Sequence, residues 1–113
     1  MRDSEDLDVL SVTTTVGSLE AARDLAREIL GSKLAACVQI DPAVISLYHW
    51  KGDLCDEPEV RLVIKTTPAC ESGLLALFAR RHPYELPQFL VTPMRGSAAY
   101  GAWVREETAK PPG

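Results

Sequence analysis

The segment Arg80–Gln88, RRHPYELPQ, gathers an imidazole (His82), a phenol (Tyr84) and a carboxylate (Glu85) beside two prolines, Pro83 and Pro87. A neutral imidazole is a good copper or zinc ligand and exchanges protons near neutral pH. It can equally cap the last carbonyls of a helix. The prolines restrict the backbone that presents these groups. Three thiols could add softer ligands: Cys37, Cys55 and Cys70. Cys37 sits in an apolar run, where a cysteine is either a soft metal ligand or a small buried hydrophobe. Cys55 has acidic neighbours, which favour the unreactive thiol. Cys70 falls in the first turn of a helix, where the dipole favours thiolate. Neither Cys55 nor Cys70 is assigned a role. No CxxC pair occurs, so a zinc ribbon and a thioredoxin-type motif are both absent.

A second set of groups is scattered along the chain: Tyr48, Trp50, Glu59, Lys65, Tyr84, Glu85 and Trp103. An amine, two carboxylates and two phenols between aromatic walls would suit a small anion or metabolite. Plain packing also accounts for the aromatics, and Glu59 with Lys65 could be a solvated surface pair. The chain has no nucleophile elbow, P-loop or HExxH, and no enzymatic activity is expected.

These groups must be positioned by a short list of elements. LDVLSVTTT is β-branched and apolar and predicts a strand. In VGSLEAARDLAREILG the period changes. Leu19, Ala22, Leu25, Ala26, Ile29 and Leu30 mark one face of a helix, with Ser18 as N-cap and Gly31 at C′. KLAACVQI is extended, and Asp41-Pro42 is expected to break it. VISLYHW then alternates, with Tyr48 and Trp50 on one face and Ile45, Leu47 and His49 on the other. Gly52 turns the chain, and EVRLVIKTT returns with Val60, Leu62 and Ile64 on one face. Thr67-Pro68 opens a helix at the position where proline is tolerated. Its apolar stripe is Leu74, Leu77 and Phe78, and Pro83 ends it. FLVTPM is a last strand, and Pro93 implies that it lies at an edge or ends early. A last helix, capped by Ser97, places Tyr100, Trp103 and Val104 on one side.

The order is β-α-β-β-α-β with an extra C-terminal helix. This is the α+β pattern of the ferredoxin-like split βαβ. Two helices on one sheet face leave the other uncovered, together with Tyr48, Trp50 and part of a long hairpin, which predicts an oligomer. The 113 residues fit one domain, with Met1–Asp6 and residues 109–113 expected as disordered tails. Composition is ordinary for a globular chain, 46% hydrophobic and 25% charged, with a formal charge of −4 and a pI near 5.1. That balance does not suggest a nucleic-acid surface. No apolar run approaches a membrane span, and the polar MRDSEDLD start is unlike a signal peptide. A cytoplasmic location with free thiols is the expectation.

KLAACVQI, SLYHWKGDL, EVRLVIKTT, RRHPYELP and AAYGAWV, in this order and spacing from about Val9 to Glu106, resemble the CutA divalent-cation tolerance family. The resemblance implies a ferredoxin-like subunit in a homotrimer, with long β-hairpins crossing between subunits as in PII-type proteins. It implies copper or another divalent cation as ligand and carries over His82 as a metal candidate, beside Cys37, which is a candidate by residue type alone. It places Tyr48, Trp50, Glu59, Lys65, Tyr84, Glu85 and Trp103 around an intersubunit cleft. The alternative function is a PII-like sensor of small molecules or anions, with metal incidental. Copper-binding members can offer a cysteine late in the first strand and two adjacent histidines; here those positions hold Thr14, Arg81 and His82. Gln88 stands where a glutamate is usual.

Overall fold

The computed structural model describes residues 8–109. Four strands and three helices follow one another as β1 (Val9–Val16), α1 (Leu19–Gly31), β2 (Cys37–Trp50), β3 (Asp53–Thr66), α2 (Glu71–Arg81), β4 (Leu90–Met94) and α3 (Ala98–Thr108). Of the tails expected at 1–6 and 109–113, all but Ala109 lie outside the described residues; Ala109 is the C-cap of α3. The strands form one antiparallel sheet in the order β2-β3-β1-β4, the arrangement of the ferredoxin-like α+β fold.

Alternation along β1 and β3 places one row of side chains against the helices. Val12, Val16, Val60, Leu62 and Ile64 pack with Ala22, Leu25, Ala26 and Ile29 of α1 and with Leu74, Leu77 and Phe78 of α2. The apolar stripes expected for both helices are thus the buried ones, except that Leu19 and Leu30 are exposed. Thr14 is the one polar member of this row on β1 and is fully buried. Ser18 caps α1, its Oγ accepting from the Ala21 N–H at 3.1 Å. The helix runs through Gly31 to Ser32, so Gly31 is not the C′ residue. Lys33 takes the left-handed backbone instead, with φ of 56°. Pro68 starts a single 3₁₀ turn that leads into α2.

The Asp41-Pro42 break did not materialise. β2 continues through it as a bulge, with Asp41 paired to Arg61 and Val44 to Glu59. Two residues on β2, Pro42 and Ala43, thus face one on β3, Val60, a single extra residue that lets the strand carry its proline. The Arg61 guanidinium donates to the Asp41 carboxylate at 2.6 Å across this irregularity. β3 also starts six residues earlier than EVRLVIKTT suggested, at Asp53. β1 ends opposite Val60. Beyond it, β2 and β3 pair only with each other, up to the turn at Lys51-Gly52.

β4 is the edge strand that Pro93 implied, and Pro93 lies opposite Leu10. Ser97 caps α3, accepting from the Tyr100 N–H at 3.1 Å. This helix buries Gly101, Val104 and Thr108, whereas Tyr100 and Trp103 are each 41% exposed. The three residues assigned to one side of α3 therefore divide between core and surface. An Arg105–Asp8 ion pair ties the helix to the start of β1.

Candidate functional site

The outer hairpin is a two-sided ribbon whose register fixes both faces. Tyr48 pairs with Cys55, Ser46 with Glu57, Val44 with Glu59 and Trp50 with Asp53. Cross-strand partners point to the same side, so Tyr48, Trp50, Glu57 and Glu59 share one face. Ile45 pairs with Pro58, Leu47 with Asp56 and His49 with Leu54. On this opposite face Ile45, Leu47, Leu54 and Pro58 are apolar, with Asp56 and His49 among them.

The segment after α2 folds back toward this hairpin. Its first residue, His82, is the C-cap of α2: its backbone N–H bonds to the Phe78 carbonyl and its ψ of 134° ends the helix. Pro83 follows, so the residue before it is held extended. The His82 ring does not turn to the helix carbonyls. It lies 5.3 Å from the ring of Phe78 and 5.3 Å from that of Tyr84. Its Nε2 lies 2.9 Å from Thr14 Oγ1, and its Nδ1 accepts from the Tyr84 backbone N–H at 3.1 Å. A backbone N–H can only donate, so Nδ1 carries no proton. Neutral His82 is therefore the Nε2–H tautomer and donates to the Thr14 hydroxyl. Burial lowers its pKa from the ordinary 6.5, and this outweighs the opposing pull of the Thr15 backbone and of Glu59. The ring is neutral at pH 7.

The Tyr84 side chain continues the chain of contacts. Its hydroxyl donates to Glu59 Oε2 at 2.6 Å, a charge-assisted bond that is short for its type. Glu59 is only 8% exposed, and no cation among the described residues forms an ion pair with it. The Tyr84 phenol is pushed far above its ordinary range, first by burial and then by its bond to Glu59. Tyr48 and Glu57 act on it in the same direction. The Tyr48 phenol is also raised, by desolvation first and then by Cys55, Glu57 and Glu59. These two phenols and two carboxylates form one electronegative group on the Tyr48 face of the hairpin.

The remaining candidates fall into separate places within the subunit. Glu85 lies 3.5 Å from Lys51 Nζ, and that ammonium sits 5.5 Å from the centre of the Trp50 ring. Lys65 donates to Gln39 Oε1 at 2.9 Å and is paired with Cys37 and Ser11 in the sheet. Six residues of extended strand separate it from Glu59, about 20 Å at the usual rise. Trp103 packs on Tyr100 of its own helix, with ring centres 5.6 Å apart. Cys37 is half-buried beside Lys65. Among the described residues, no group of three or more His, Cys, Asp or Glu side chains could hold a metal ion. Thr14 and Glu57 complete the cluster without having been candidates for it. Glu57 could have been found by strand parity with Glu59, but no local signal connects Thr14 with a histidine 68 residues away.

A model of the family described as "CutA1 divalent ion tolerance protein" matches residues 10–107. The divalent-cation tolerance protein CutA of Citrobacter koseri is 37% identical over 106 residues, covering 90% of this chain and 92% of that protein. The solved structure of CutA from Synechococcus elongatus superposes with a TM-score of 0.88 at 34% identity, covering 93% and 94% of the two chains. That of the divalent cation tolerance protein from Thermus thermophilus gives 0.85 at 35% identity, covering 89% and 99%. With the fold, the order of elements and the sequence in agreement over nearly its whole length, the chain belongs to the CutA1 divalent ion tolerance family.

Proposed function

We propose that this chain serves divalent-cation tolerance as a non-enzymatic binding protein that works as a homotrimer, with copper or another divalent cation as ligand. The observation that carries the assembly is the apolar face of the outer hairpin. Ile45, Leu47 and Leu54 are 66%, 64% and 69% exposed in the single chain. They project from a ribbon that no third strand among the described residues supports. An isolated two-stranded ribbon is marginal in water, and apolar surface of this kind is ordinarily covered by a partner. In light scattering after size exclusion, the protein should have three times the subunit mass of 12.4 kDa. Leu47→Asp, which puts a charge on the face to be covered, should shift it to smaller species at micromolar concentration. A wild-type monomer would overturn the assembly.

The opposite face of the same hairpin supports the cation. Glu57 and Glu59 act together on the two phenols, and a negative potential of that kind draws cations. The ammonium that an anion site would need, Lys65, is bound to Gln39 well along the strand. Glu57→Gln should weaken Cu²⁺ binding in calorimetry by about fivefold, the order expected for removing one nearby charge in a partly solvated site. Identical isotherms would remove this face from the reading.

A further inference from the structure

A divalent metal is implied by the family, and His82 and Cys37 are the ligands that the sequence nominates. The residues do not fit a resident metal. His82 has no free ring nitrogen: Nδ1 accepts from the Tyr84 N–H and Nε2 is bonded to Thr14. Cys37 is placed elsewhere, opposite Lys65 in the β2–β3 ladder. A metal at His82 would have to break one of the two bonds, exposing either a buried hydroxyl or a backbone donor without its partner.

We propose that His82 is a positioning residue rather than a metal ligand: a neutral clasp that links the sheet to the loop after α2 and so seats the Tyr84 phenol on Glu59. The hydrogen bonds form a continuous set. The imidazole N–H holds the Thr14 hydroxyl near the end of β1, and its bare nitrogen holds the backbone of Tyr84. The Tyr84 side chain then reaches the buried Glu59 on β3. The rings of Phe78 and Tyr84 each lie 5.3 Å from the imidazole. The position demands a ring with one donor and one acceptor aimed in different directions, which neutral histidine alone supplies among the side chains. A buried hydroxyl on β1 thereby gains a partner, and the loop gains a fixed start.

The assignment is independent of the cation-binding face above and is tested on the whole protein with Zn²⁺ and Cu²⁺ as the probes. Nitrogen-15 spectra at pH 7.5 should show Nδ1 bare and Nε2 protonated. That pattern should persist after one equivalent of Zn²⁺, a diamagnetic divalent cation that leaves nearby signals sharp. His82→Asn keeps an acceptor where Nδ1 lies, whereas His82→Ala removes it. Amide exchange at Tyr84 should accelerate about tenfold or more in the alanine variant and stay within about threefold of wild type in the asparagine variant. Cu²⁺ affinity should stay within about threefold in the asparagine variant, which keeps Tyr84 seated on Glu59. A protonated Nδ1, a ring nitrogen of His82 shifted to a metal-bound position on adding Zn²⁺, or unchanged Tyr84 exchange in the alanine variant would each overturn the clasp. A tenfold loss of Cu²⁺ affinity in the asparagine variant would do the same and return His82 to the metal ligands. If the alanine variant fails to fold, the wild-type spectra and the asparagine variant decide the matter.

Discussion

Phe78→Ala should lower the unfolding free energy by about 3–5 kcal/mol, the usual cost of emptying a buried phenylalanine site. Phe78 is 2% exposed and is the largest of the fully enclosed core side chains. Its ring meets Phe89 edge-on at 5.1 Å and lies 5.3 Å from His82. Helix α2 cannot close the gap by moving inward, because Leu74 and Leu77 already fill its contact with the sheet. The substitution would also take away one wall of the His82 ring, so the loop beyond it should loosen before the sheet does. Urea unfolding checks the first effect, provided wild type and variant are compared at one protein concentration, since assembly adds to apparent stability. A loss below about 1 kcal/mol would mean that the site collapses freely or that subunit contacts, not this core, carry the stability.

The parts of the fold that were legible in the sequence are those set by local periodicity. The stripes on α1 and α2, the caps at Ser18 and Ser97, and the edge position implied by Pro93 all follow from short-range rules. The failures arise where a partner strand decides. Pro42 looks like a break on its own strand, and it becomes a bulge because β3 supplies Arg61 and Glu59 on either side of it. DLCDEP has little strand character, and it is extended because β2 pairs with it residue by residue. Gly31 met the chemistry of a C′ residue, but the helix ran two residues further and used Lys33.

The candidate site was legible in kind and only partly in place. Strand alternation put Tyr48 and Trp50 on one face, and the register adds Glu59 to it. The same alternation puts Lys65 on the same side of β3 as Glu59, but it carries no information on how far along the strand a ligand would reach. The contact from Glu59 to Tyr84 and that from Thr14 to His82 join residues far apart in the chain. They depend on how the sheet is stacked against the end of α2. Sequence pattern can nominate His82, yet only the fold shows that its two nitrogens are occupied.

Tyr84→Phe should cost about 1–3 kcal/mol, the penalty for leaving a buried acceptor without its donor. The substitution keeps the ring that packs on His82 and keeps the backbone N–H that His82 accepts. What it removes is the 2.6 Å donation to a carboxylate that is 8% exposed. Water has little access to replace it, and no cation among the described residues pairs with that group. The phenol is a dependable donor because burial and the Glu59 carboxylate hold its proton on. Glu59→Gln offers the useful comparison, since an amide oxygen can still accept from the phenol while the charge is gone. A double-mutant cycle over the two positions should give a coupling of about 0.5–3 kcal/mol, the range for side chains in direct contact. If the hydroxyl instead points to solvent, Tyr84→Phe would be neutral within about 0.5 kcal/mol, as surface substitutions usually are. The negative group on the hairpin would then consist of Glu57 and Glu59 alone, without the phenol that closes it.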